Sequence, residues 1–208
     1  MAKDQASRRV LLIGGPSGVG KTIAAQQVGE RCGIPWLQVD DLRLALQSSQ
    51  VVLPTRTADL YFFLQTPNVW SLQPERLRDA LVAVGEVLSP AIEVVIANHV
   101  DTVAPVVIEG DGILPSLFAR PVVRERVNRG QVGAVFLVEP DEAVLLTNMV
   151  ARGRGAERLT PMELQSEARA KWLYGQWLVT EACRFNLPVV EARPWDTLVE
   201  RIMLSLRQ

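Results

Sequence analysis

Val10-Leu11-Leu12-Ile13 runs directly into Gly14-Gly15-Pro16-Ser17-Gly18-Val19-Gly20-Lys21-Thr22. Four apolar residues ending in two glycines read as a buried strand entering a tight turn. Residues 15–22 fit G-x-x-x-x-G-K-[ST] in full. A helix is predicted next, from about Gly20 to Arg31, with Ile23, Ala24, Gln27 and Val28 at helical spacing. Gly33 suits its left-handed cap, and Pro35 cannot continue it. Glycines let the backbone turn successive N–H groups toward phosphate oxygens without a side chain in the way. The helix that follows adds its positive N-terminal end. Lys21 supplies a point charge for β- and γ-phosphates, and the Thr22 hydroxyl suits the shell of a Mg²⁺ ion. The strand before and the helix after separate a phosphate-binding loop from a glycine-rich turn that merely matches the pattern. The expected nucleotide-binding set is Gly15, Pro16, Ser17, Gly18, Val19, Gly20, Lys21 and Thr22, with Lys21 also catalytic.

Outward from this loop, strands and helices alternate. Residues 36–39 form a second strand that delivers Asp40 and Asp41 at its C-terminal end, and a helix is expected from Leu42. Residues 48–72 give no readable pattern. A long helix begins near Pro74, a favoured first helical residue, with Leu77, Leu81, Val84 and Leu88 as its buried stripe. Ser89-Pro90 is expected to break or kink it. Val106-Val107-Ile108 is the third strand, ending in Glu109-Gly110-Asp111-Gly112, and residues 133–138 are the fourth, followed by a helix through Val144, Leu145 and Met149. Thr160-Pro161-Met162-Glu163 carries a capping box that starts a helix to about Phe185. Residues 187–190 form the fifth strand, and a last helix covers about 197–206. This order implies an α/β fold: a five-stranded parallel sheet with helices on both faces. Joined to the phosphate loop it is the P-loop NTPase arrangement, in which a helical lid is expected. The expected organisation is one domain over 1–208, with a lid at about 151–160 and a substrate-binding insertion at about 44–75.

The bulk numbers agree. A chain of 208 residues suits one domain with a sizeable core, and an apolar share of 48% argues against wholesale disorder. A formal charge of -1 provides no overall basic surface for nucleic acid. The polar start, 1–9, lacks the apolar centre of a signal peptide, and no stretch reads as the roughly 20 apolar residues that span a bilayer. A cytoplasmic protein without nucleic-acid or membrane partners is expected. A homo-oligomer stays open. Cys32 and Cys183, the two cysteines, are expected to face the core.

In an open α/β sheet, ligands bind beyond the carboxyl ends of the strands. Asp40, Asp41, Glu109 and Asp111 are predicted there. Carboxylates in that position hold Mg²⁺ or accept a hydroxyl proton during phosphoryl transfer. Capping of the next helix is the alternative role for Asp40 or Asp41. The metal set is Thr22 with Glu109 and Asp111, and either of the two carboxylates could be the ligand.

The combination of Gly-Gly-Pro-Ser-Gly-Val-Gly-Lys-Thr (14–22), Val-Asp-Asp-Leu-Arg (39–43) and Val-Val-Ile-Glu-Gly-Asp-Gly-Ile-Leu-Pro (106–115) resembles 2-phosphoglycerate kinase-like proteins. More broadly it looks like the small-molecule P-loop kinases, including chloramphenicol phosphotransferase, gluconate kinase and zeta toxins. The resemblance spans the motifs from about 10 to 160. It implies Asp40 as the base or substrate-orienting residue, Arg43 as a contact to an anionic acceptor, and Glu109 as the acid of the Ile-Glu-Gly segment. Asp41 stays beside Asp40 as a substrate-side alternative. The family often has histidine where Gly112 stands here, and Asp111 adds a charge. That departure bears on the acceptor.

Arg152, Arg154 and Arg158 form a basic loop that could bring positive charge to a γ-phosphate. Arg152 and Arg154, flanked by glycines, are the expected catalytic pair. Arg193 follows the last strand and could stack on the base of the nucleotide. His99, the one histidine, is expected to be incidental, and Trp172 and Trp177 to pack. The function that follows is an ATP- and Mg²⁺-dependent kinase phosphorylating a hydroxyl of a small anionic metabolite akin to 2-phosphoglycerate. The rival is a regulatory NTPase switch acting on a protein partner. It lacks support from an Asn-Lys-x-Asp guanine signature or a Leu-Ser-Gly-Gly-Gln-like transporter signature.

Overall fold

A computed structural model of the chain describes residues 8–153 and 156–206. The elements are β1 (Val10–Gly14), α1 (Lys21–Cys32), β2 (Trp36–Gln38), α2 (Val39–Ser48), α3 (Thr57–Gln65), α4 (Pro74–Asp101), β3 (Val106–Gly110), α5 (Pro121–Asn128), β4 (Val132–Val138), α6 (Glu142–Arg152), α7 (Pro161–Arg184), β5 (Val189–Glu191) and α8 (Leu198–Ser205), with short 3-10 turns between some of them. All five strands are parallel, in the order β2-β3-β1-β4-β5. This is the α/β P-loop NTPase fold.

Alternation along the central strands explains why both faces are covered. Val10 and Leu12 of β1 join the core beneath α4 and α7, while Leu11 and Ile13 join the core beneath α1 and α8. β4 divides likewise, with Val132, Ala134 and Phe136 on one face and Val135 and Leu137 on the other. The chain leaves β1 through α1 on one face and leaves β3 through α5 on the other. A crevice therefore opens between the C-terminal ends of these neighbours, where Gly14 pairs with Gly110 and Ile13 with Glu109.

Several expectations need correction. α2 begins at Val39, not Leu42, so Asp40 and Asp41 lie in its first turn and neither side chain caps it. β2 is only three residues long, and Val39 is drawn into the helix because its side chain packs over Gly110. α4 runs unbroken through Ser89-Pro90. Proline removes one donor there, and the Ser89 hydroxyl donates to the Gly85 carbonyl one turn earlier (2.9 Å). The same helix is long and apolar enough, by length and composition, to cross a membrane, contrary to the sequence reading. In this fold Leu77, Leu88, Ile92 and Ile96 are buried in the protein's own core. The stretch 48–72, which has no readable pattern in sequence, contains α3, and α5 is a helix beyond those the sequence pattern predicts. Cys32 and Cys183 are exposed rather than core-facing, as is Ile23. The capping box at Thr160 and Glu163 is formed on both sides.

Candidate active site

The loop after β1 delivers Lys21 into the crevice. Its buried ammonium donates to the Pro16 carbonyl (2.8 Å) and to Asp111 Oδ1 (2.6 Å). Ser17 Oγ donates to the other oxygen of Asp111 (2.7 Å), and Thr22 Oγ1 donates to Glu109 Oε1 (2.8 Å). Two glycines are required by contact as well as by conformation. Gly15 has φ +143°, with a Cβ position 2.3 Å from the Leu137 carbonyl oxygen. Gly20 has φ +78°, and a Cβ there would lie 2.3 Å from the Trp195 ring.

The two carboxylates of the β3 end are opposite in electrostatic character. Burial pushes the Glu109 carboxyl above its ordinary range, against the smaller pull of Lys21 and the Thr22 hydrogen bond. Burial acts in the same direction on Asp111. There Lys21, Lys171 and Ser17 together outweigh it and hold that carboxyl below the ordinary range. Tyr174, buried in α7, donates its hydroxyl to the Asp111 carbonyl. Burial and the nearby Asp111 charge push its phenol well above the usual value.

Two cavities meet here. The outer one, about 530 Å³, is lined by the loop residues Ser17, Gly18 and Gly20 to Thr22, by Asp40, Glu109 and Asp111, and by Asn148, Arg152 and Trp195. The inner one, about 280 Å³, shares Ser17, Asp40 and Asp111 and adds Arg43, Gln47, Trp70 and Lys171. Arg43 is held by Asp40 (3.1 Å) and by the amide oxygen of Gln47 (3.2 Å). Asp41 is exposed and lines neither cavity. Gly112 lines the inner cavity, and a Cβ there would sit 3.1 Å from Leu88 and 3.2 Å from Val39.

The predicted residues thus separate. Lys21, Thr22, Glu109, Asp111, Asp40 and Arg152 come together around the outer cavity, and Arg43 faces the inner one. Arg154 lies outside the described residues. Arg158 closes the 3-10 turn Ala156–Arg158, with its side chain exposed. Arg193 donates to Asn148 Oδ1 (3.0 Å), lies 3.5 Å from buried Glu139 and packs over Trp195, with its guanidinium 5.7 Å from the ring centre. Asn148 in turn donates to the Gly18 carbonyl (3.2 Å), which ties this group to the phosphate loop. His99 Nδ1–H donates to the Ala104 carbonyl (2.7 Å) at the end of α4. Trp172 donates to the Pro140 carbonyl, and Trp177 stacks on Tyr174. Sequence reading missed Lys171, Trp70, Asn148 and Glu139. Lys171 and Trp70 sit within helical and turn segments whose inward direction only the tertiary fold sets. Glu139 ends an apolar strand as Glu109 does, which was a usable signal.

This loop, its paired acid at the end of β3 and the five-stranded parallel sheet are the features of the P-loop NTPase fold. In sequence the chain is similar to 2-phosphoglycerate kinases of Methanopyrus kandleri and Methanothermobacter thermautotrophicus, 26% identical to each over 204 residues. The alignments cover 93% and 95% of this chain but only 59% and 65% of those proteins, so the chain spans less than two thirds of their length. In structure it is similar to a gluconokinase from Sinorhizobium meliloti, with 20% identity, a TM-score of 0.50 and coverage of 96% of this chain and 93% of that one. No protein-family model matches the chain.

Proposed function

We propose that the chain is an ATP-dependent kinase that transfers the γ-phosphoryl group to a hydroxyl of a small molecule. The observation that carries this reading is the junction of the two cavities. A phosphate loop lines the outer one, a second, smaller cavity adjoins it, and Ser17, Asp40 and Asp111 border both. In transfer, the acceptor oxygen forms a bond to the γ-phosphorus, the bond to the β–γ bridging oxygen breaks, and ADP leaves. Asp40 takes the hydroxyl proton, as the carboxylate of α2 that borders both cavities. Asp41, pointing to solvent, is not given that role. Residues 15–22 hold the phosphates, with Lys21 exchanging Asp111 for phosphate oxygens. Arg193 and Trp195 flank the base, and Arg152, at the end of α6, neutralises charge from the segment 151–160, which acts as the lid.

The donor set suits Mg²⁺, which takes one or two carboxylates and keeps several waters. Glu109 is a buried carboxyl whose charged form is disfavoured until a cation approaches, and the Thr22 hydroxyl is already hydrogen-bonded to it. Thr22 and Glu109 would hold the ion, which supplies charge neutralisation on the β- and γ-phosphates. Asp111, which also lines the inner cavity, serves the acceptor side instead. The relatives' name offers 2-phosphoglycerate as the first acceptor to try, with Arg43 as its anionic contact.

Acceptor-dependent ADP release, screened over hydroxylated metabolites, tests the reading. Lys21→Ala should lower turnover by about 100-fold or more with the fold intact. Asp40→Asn should keep nucleotide affinity and lose turnover, and Asp41→Asn should resemble the parent. Near-normal turnover in Lys21→Ala would sink the assignment.

A further inference from the structure

The inner cavity is unsuited to a polyanion. Val39, Leu60, Phe63, Trp70, Leu81, Val84 and Leu88 make up half of its lining residues. Phe63 and Trp70, both lining the cavity, stack on one another with ring centres 5.4 Å apart and an interplanar angle of 30°. Gly112 adds no side chain, and Leu88 and Val39 close the space beside it.

The charges that line this cavity are already matched. Among the described residues, Arg43 and Lys171 are its cations and Asp40 and Asp111 its anions. Arg43 is paired with Asp40. Lys171 is paired with Glu167, and its ammonium stands 5.5 Å from the Trp70 ring centre. A phosphate carries about -1.5 to -2 charge at neutral pH, and a carboxylate beside it adds more. Such a molecule would lose its hydration against an apolar wall with no surplus cation to replace it. If Asp40 engages the acceptor hydroxyl, Arg43 is released for a single anionic group. A volume of about 280 Å³ falls just below the roughly 300–1,000 Å³ usual for small-molecule sites, enough for one ring.

Resting on the kinase reading above, we propose that the acceptor is a hydroxylated molecule with a single-ring apolar body and at most one negative charge, not a polyanion such as 2-phosphoglycerate. Its ring lies against Trp70 and Phe63, and its hydroxyl reaches Asp40 at the junction of the cavities. The hydroxyl oxygen bonds to the γ-phosphorus, its proton passes to Asp40, and ADP departs with the bridging oxygen.

The test compares acceptor-dependent ADP release for benzylic and cyclohexyl alcohols, each with and without one carboxylate, against 2-phosphoglycerate. At least one ring-bearing alcohol should exceed 2-phosphoglycerate in kcat/KM by about ten-fold or more. For that alcohol, Trp70→Ala should raise KM by about ten-fold with kcat nearly unchanged, and Trp70→Phe should restore most of the loss. Equal or better use of 2-phosphoglycerate overturns this inference and leaves the kinase reading standing. An unchanged KM in a folded Trp70→Ala protein also overturns it. ADP release that no acceptor accelerates overturns both.

Discussion

At the scale of single residues, Asp111 has the most to reveal. It neutralises a lysine that is 6% exposed while keeping 24% of its own side chain exposed. Removing one partner of a fully buried pair costs roughly 3–5 kcal/mol. Solvent in the cleft screens this one, so Asp111→Asn should destabilise the protein by about 1–3 kcal/mol near neutral pH. The folded carboxyl titrates below its unfolded value, so its contribution is present above the ordinary aspartate value of about 3.9 and is lost as pH falls through the folded value. The gap between parent and variant in denaturant midpoints should therefore close on acidification. A gap that stays constant from neutral pH to pH about 3 would contradict the pairing. Glu109 has the opposite sign. Its raised value makes the folded state less stable once pH exceeds that value, and a bound cation would remove that cost.

At the scale of elements, the loop between β1 and α1 was legible because its chemistry is local. Glycine spacing, the apolar strand and the following helix all lie within residues 10–32. The start of α2 was not, because Val39 alternates correctly for β2, and only contact with Gly110 turns it into helix. The run Leu60 to Leu64 in α3 is apolar on every side, so no period marked it. The inner cavity was illegible for a related reason. Lys171 looks like an ordinary surface lysine of a long helix, and its direction depends on how α7 crosses α4. The Gly110–Val39 contact gives a test at this scale. A Cβ at Gly110 would lie 2.6 Å from Val39 Cβ. Gly110→Ala should push α2 away from β3 and cost about 1–3 kcal/mol in stability. It should lower kcat more than nucleotide affinity, since Asp40 moves and residues 15–22 do not. Unaltered kcat in that variant would show that α2 does not need this seat.

At the scale of the whole molecule, the topology explains why one site exists where it does. β1 and β3 send their connections to opposite faces, and that divergence opens the crevice holding both Lys21 and Glu109. Helices α2, α3, α4 and α7 wall the inner cavity beside it. A nucleotide switch needs only the outer cleft; the second cavity, sharing Asp40 and Asp111, is what a phosphoryl acceptor requires. The fate of the γ-phosphate therefore separates the two roles. With ATP labelled in its γ-phosphate, Mg²⁺ and the best ring-bearing alcohol, the account predicts that the label appears in an organic phosphate ester and that Lys21→Ala abolishes this transfer. Label released only as inorganic phosphate, at a rate indifferent to the alcohol, would contradict it.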